Sequence, residues 1–148
     1  MRLKNRTSNV PVERTVARIE YALVSAGASN IVKDYEDGIL KGIRFTVRER
    51  ERIIAVKLPA KVEAVKAIMQ EGMKRPRAGT LKRLEEQASR TAWKLVQDWI
   101  EVQVSMIAMG QAEFLQVFLP YVWDGHRTIF DIMKEQQFKA LPGKVEKP

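Results

Sequence analysis

With 148 residues, 45% of them hydrophobic, the chain has apolar material for one real core, so one compact domain, with or without a helical extension, is expected. The absence of cysteine excludes disulfides, thiol catalysis and every cysteine-based zinc or iron–sulfur site. The net charge of +8 is uneven, since residues 1–94 hold 21 Lys or Arg against 11 Asp or Glu and the remainder holds 5 against 7, a layout expected when one region faces a polyanion and another is interior or faces protein.

The first eight residues form a short basic tail with no apolar run behind it, which does not fit a secretory signal. Pro11 suits a first helical turn, and Val12, Val16, Ile19, Leu23 and Ala26 recur at helical spacing, predicting an amphipathic helix over 11–26 that ends at Gly27. Arg14 and Arg18 lie on its wet side. Ile31 to Tyr35 reads as a strand, and Asp37-Gly38 is the dipeptide favoured for a tight hairpin. Ile39 to Val47 alternates, with Ile43, Phe45 and Val47 on one face and Arg44, Thr46 and Arg48 on the other. After a turn at Arg48-Glu49-Arg50-Glu51, Arg52 to Leu58 returns with Ile54, Val56 and Leu58 inward. Pro59 stops that strand and opens a helix over 60–70, giving an α-β-β-β-α unit over residues 1–70 whose two helices cover one face of an antiparallel sheet.

Residues 71–79 are the one clear linker. Between Lys74 and Arg83 stand Lys74, Arg75, Arg77, Lys82 and Arg83 with no acidic residue, on a backbone kept open by Pro76 and Gly79. Two readings stay open for this segment. One is a solvated hinge; in the other, phosphate is held by the basic side chains and by the N–H groups of the following helix. That helix is predicted from Thr80, as its cap, to Gly110 at its left-handed end, about 29 residues and roughly 43 Å. Its first half is narrowly amphipathic. From Ala92 onward Trp93, Leu95, Val96, Trp99, Ile100, Val104, Met106 and Ile107 leave a thin polar edge and mark the central core helix. Lys94, Asp98 and Glu101 within this most apolar window argue against a membrane span, so a soluble cytoplasmic protein is expected. Gln111 to Leu119 is a short helix stopped by Pro120. A last helix starts at Thr128 with Asp131 placed for a capping box, and residues 142–148 read as a disordered tail. The expected fold class is therefore α+β: a three-stranded antiparallel sheet with covering helices, a long helix, and a C-terminal helical cap over the rest of 80–141.

Catalytic residue types are sparse. One histidine, His126, sits in the turn Asp124-Gly125-His126-Arg127, and no phosphate-binding Gly-rich loop, Gly-x-Ser-x-Gly or His-Glu-x-x-His is present. The acidic group Asp34, Glu36 and Asp37 has no known cation-loop spacing. A protein without catalytic activity, metal or cofactor is expected. Trp93 and Trp99 read mainly as core, while Tyr35 beside Lys33 is the better candidate for stacking on a base.

The element order from Val12 to Gln70 is similar to that of double-stranded RNA-binding domains, in which the second helix presents lysines to phosphates; Lys61 and Lys66 occupy that helix here. That family's lysine cluster at the helix start and its Gly-Pro-type loop are absent. The runs Val12-Glu13-Arg14-Thr15-Val16-Ala17-Arg18-Ile19-Glu20, Lys57-Leu58-Pro59-Ala60, Ala92-Trp93-Lys94, Asp98-Trp99-Ile100-Glu101 and Phe118-Leu119-Pro120-Tyr121 resemble a family of small uncharacterised bacteriophage and prophage proteins. That resemblance implies a phage setting and carries no activity. The functional expectation is binding of nucleic acid, of a type left open, or of a nucleoprotein complex, through Lys74, Arg75, Arg77, Lys82, Arg83 and Arg90, with Arg44, Arg48, Arg50 and Arg52 as a second patch. The alternative is a protein-interaction factor that inhibits or modulates a host nucleic-acid-directed machine such as a defence nuclease complex. In either case a homodimer through the long helix is possible geometry.

Overall fold

The computed structural model describes residues 1–146, so positions 147–148 of the expected tail lie outside the described residues. The architecture is α+β. Helix α1 (Val12–Ser25) leads into strands β1 (Ala28–Glu36), β2 (Ile39–Glu49) and β3 (Arg52–Pro59), then helices α2 (Val62–Gln70), α3 (Ala78–Ala108) and α4 (Phe114–Phe118), a single 3₁₀ turn at Leu119–Tyr121, and α5 (Ile129–Glu135).

The sheet is an antiparallel meander in the order β1-β2-β3. Its first hairpin closes at Asp37-Gly38, both with positive φ (+52° and +78°), the conformation a two-residue turn needs to match strand twist. Strand β1 starts at Ala28, earlier than the alternation suggested, because Ala28 pairs with Val47 at the far end of the long β2. A register shift between Ser29 and Val32, with Asn30 in a left-handed conformation, breaks the period-two pattern there.

One core joins every major element. Val16 and Ile19 of α1, Ile43 and Phe45 of β2, Val65 of α2, Trp93 and Ile100 of α3 and Phe118 of α4 all belong to it. Helix α3 packs against both α1 and α2. The helical layer over the sheet therefore includes the middle of α3 as well as the two helices expected there. Trp93 is the anchor: its ring is fully buried and its indole N–H donates to the Leu40 carbonyl at 3.0 Å. Phe45 meets Phe114 and Phe118 edge-on at 6.3 and 6.0 Å, and Trp99 meets Phe118 and Tyr121 at 5.5 and 5.8 Å, tying the C-terminal helices to sheet and α3.

Close packing also explains Gly42, buried in β2 opposite Pro59. A Cβ there would lie 3.0 Å from the Leu58 carbonyl oxygen, a backbone atom that cannot swing away. Gly42→Ala is expected to lower the unfolding free energy by about 1–3 kcal/mol, measurable by urea denaturation.

Two ends differ from the sequence reading. Helix α3 begins at Ala78, with Arg77 in the cap position and no side-chain cap, so Thr80 lies inside the first turn and does not cap it. The end is as expected, with Gly110 at φ +77°. Helix α4 begins at Phe114 and not Gln111, because the Gln111 and Ala112 amides bond back to the Met106 carbonyl to close α3.

Candidate nucleic-acid interface

The basic tail folds back as a strap along α3. The Gln87 amide donates to the Arg6 and Ser8 carbonyls at 2.8 and 3.1 Å, buried Thr91 donates to the Asn5 carbonyl at 2.9 Å, and Asn5 donates to Asp98 at 2.8 Å, with Lys4 also on that carboxylate. Leu3 packs against the core, and the terminal amine lies 3.7 Å from Glu71. Partial burial works against the Asp98 carboxylate, but the Lys4 and Asn5 hydrogen bonds and the Lys4 charge outweigh it and hold Asp98 below its ordinary value of 3.8. A lowered carboxylate contributes stability that is full above that value and is lost as pH falls through the folded one. The strap is therefore expected to loosen only in acid. Asp98→Asn is expected to loosen it at neutral pH and to remove that acid response, seen as faster amide hydrogen exchange at the strap-facing residues of α3.

Beside the strap lies the first candidate cluster. Lys74, Arg75 and Arg77 are exposed on the segment before α3, and Lys82 and Arg83 are exposed on its first two turns. None of the five has an ion-pair partner among the described residues. The first turn of α3 holds no acidic residue and no side-chain cap, so its N–H groups and the positive end of the helix dipole face outward among these cations. The strap adds Arg2 and Arg6, both exposed: Gln87, which holds the Arg6 carbonyl, stands one helical turn beyond Arg83. The signal for the strap in the sequence was the polar series Gln87, Thr91 and Asp98 at helical spacing along this helix.

Arg90 is not presented outward with the five. It is half-buried, its Nε donating to the Ser8 carbonyl at 3.3 Å and its Nη2 to Gln87 at 2.6 Å, and it fastens the strap. The second patch is divided. Arg44 is held by Asp34 at 2.8–3.0 Å and lies 5.2 Å over the Trp123 ring, so it is already paired. Arg48 is exposed, Arg50 (φ +55°) sits in the β2–β3 turn, Arg52 opens β3, and Glu49 and Glu51 alternate with them. That turn shares a cavity with Leu115 of α4. The first cluster precedes α3 and occupies its first turns, whereas the second sits on the β2–β3 turn at the end of the sheet, so the two are built on different elements.

Other candidates are accounted for locally. Lys66 pairs with Glu85 at 3.1 Å and Arg18 with Glu101 at 3.1 Å. Tyr35 is 64% exposed and open to stacking. Asp124 accepts the Arg127 and His126 backbone N–H groups, both at 2.8 Å, which hold its carboxyl below the usual range and shape the His126 turn. No group of three potential metal ligands occurs among the described residues, and no described helix is long and apolar enough to cross a membrane. The chain matches no protein-family model, no curated protein and no solved structure.

Proposed function

We propose that the protein is a non-catalytic nucleic-acid-binding factor, serving replication, recombination or packaging in a phage setting, whose phosphate-facing surface is the start of α3. The observation that carries this reading is the set Lys74, Arg75, Arg77, Lys82 and Arg83, exposed and without ion-pair partners among the described residues around an uncapped helix start. Lys4, Arg18, Lys33, Lys41, Arg44, Lys66 and Arg127 have carboxylate partners, and of the cations that do not, these five are the set that is contiguous in sequence with no acidic residue between them. Contacts of this kind neutralise backbone phosphate and read little sequence. The test is equilibrium binding of labelled single-stranded DNA, double-stranded DNA and double-stranded RNA near physiological salt. Binding to at least one of them supports the reading and identifies the ligand; binding to none overturns it.

A second reading is favoured by a different surface. Val102 (55% exposed) and Met106 on α3, Met109 (71%) at its C-cap, and Tyr21 (80%) and Val24 on α1 leave apolar side chains in solvent on the two packed helices. In a factor that modulates a host nucleic-acid machine, this face seals against protein while the basic arm occupies a nucleic-acid contact. Capture of a nuclease complex that Val102→Asp with Met109→Asp abolishes, without retained nucleic-acid binding, would favour this reading over the first.

A further inference from the structure

The segment after the 3₁₀ turn does more than lead into α5. Val122 forms a bridge with Val56 of β3, the Trp123 amide donates to the Ala55 carbonyl at 2.9 Å, and Trp123 bridges to Thr128. This fixes the Trp123 ring at the β3 edge of the sheet, with the Lys57 ammonium 5.3 Å from its centroid. Between this ring, the end of β3 and α5 lies a cleft of about 500 Å³.

Its walls are of two kinds. Tyr121, Trp123 and Phe130 give an aromatic side, with Phe130 48% exposed. Lys57, Lys61 and Lys134 give a cationic side, and none of the three has an ion-pair partner among the described residues. The single carboxylate lining the cleft, Asp131, is committed to the α5 cap, accepting the Thr128 N–H at 3.1 Å while its own N–H donates to the Thr128 hydroxyl at 3.2 Å. Three ammonium groups against one carboxylate, which lies within charge reach of Lys61 and Lys134, leave the cleft net positive beside an aromatic wall and suit a ligand that is anionic at one end and flat and aromatic at the other.

We propose that this cleft binds a nucleoside phosphate, the phosphate meeting Lys57, Lys61 and Lys134 and the base lying against the Trp123 and Phe130 side. The site is separate from the α3 arm. None of Lys74, Arg75, Arg77, Lys82 and Arg83 borders the cleft, and Lys61 stands at the start of α2 whereas the basic segment follows its end. The occupant is a free nucleotide or a terminal nucleotide of a strand; the chemistry is the same and the experiment tells the sources apart.

The experiment is a titration of the full chain followed by proton–nitrogen correlation spectra, with adenosine monophosphate, adenosine, inorganic phosphate and a short 5′-phosphorylated single-stranded oligonucleotide as separate probes. The expected result is saturable movement of the Trp123 indole, His126 and Thr128 signals by adenosine monophosphate, with adenosine and inorganic phosphate each weaker by about tenfold or more. Lys57→Ala, Lys61→Ala and Lys134→Ala together are expected to weaken adenosine monophosphate by about tenfold or more while the dispersed spectrum certifies the fold. Lys74→Ala with Arg75→Ala is expected to leave it unchanged, which separates this site from the arm. The same signals moving at much lower oligonucleotide concentration assign the site to a strand end; equal affinities assign it to free nucleotide. No saturable movement by adenosine monophosphate or oligonucleotide, inorganic phosphate binding as well as the nucleotide, or a triple variant that binds as before would each overturn the proposal.

Discussion

Replacing Lys74, Arg75, Arg77, Lys82 and Arg83 together by Ala is expected to weaken double-stranded DNA binding by roughly a thousandfold near physiological ionic strength, because five neutralised phosphates correspond to a salt slope of about −4.5. The five side chains are exposed, so the change leaves the core intact and the loss is one of binding alone. Changing Arg48, Arg50 and Arg52 instead is expected to matter far less, since Glu49 and Glu51 stand among them and offset their charge. Gel retardation or fluorescence anisotropy with both variants separates the two surfaces. Equal losses from both would mean that the ligand responds to overall charge and not to the arm.

Trp93→Ala carries the largest expected effect on stability, about 3–5 kcal/mol, against a total that for a domain of this size is about 5–15 kcal/mol. The ring is fully buried where α3 crosses the sheet, within a close-packed core, so its removal leaves a large cavity. Trp93→Phe isolates the polar part: most of the volume stays, but the Leu40 carbonyl loses its N–H donor. That substitution is expected to cost about 1–3 kcal/mol, chiefly the penalty of a buried unpaired acceptor. Denaturant midpoints of the two variants measure both terms, and a Trp93→Ala cost below that of a surface substitution would contradict the placement of α3 at the centre of the core.

What was legible in the sequence was local chemistry. The Asp37-Gly38 turn, the period of α1, the inward set of β2 and β3 and the Thr128–Asp131 capping box each depend on residues a few positions apart, and each is present. What escaped depends on partners far along the chain. The strap over α3 is made by side chains more than eighty positions from the backbone they bind, as Gln87 to Arg6 and Thr91 to Asn5 show. The roles of Arg44 and Arg90 changed for the same reason. On a strand and a helix they read as outward cations, yet Trp123 with Asp34 engages the first and the strap carbonyls engage the second. The basic cluster before α3 was legible because nothing distant alters it; its members are exposed and next to one another in sequence.

The central claim is that the start of α3 binds polyanion through phosphate charge. Its most direct test is the slope of log binding constant against log salt for the unaltered protein on double-stranded DNA. A slope of about −4 to −5 is the predicted result, equivalent to about 500-fold between 50 and 200 mM salt. Affinity that stays flat over that range, or no measurable affinity at its low-salt end, would contradict the claim.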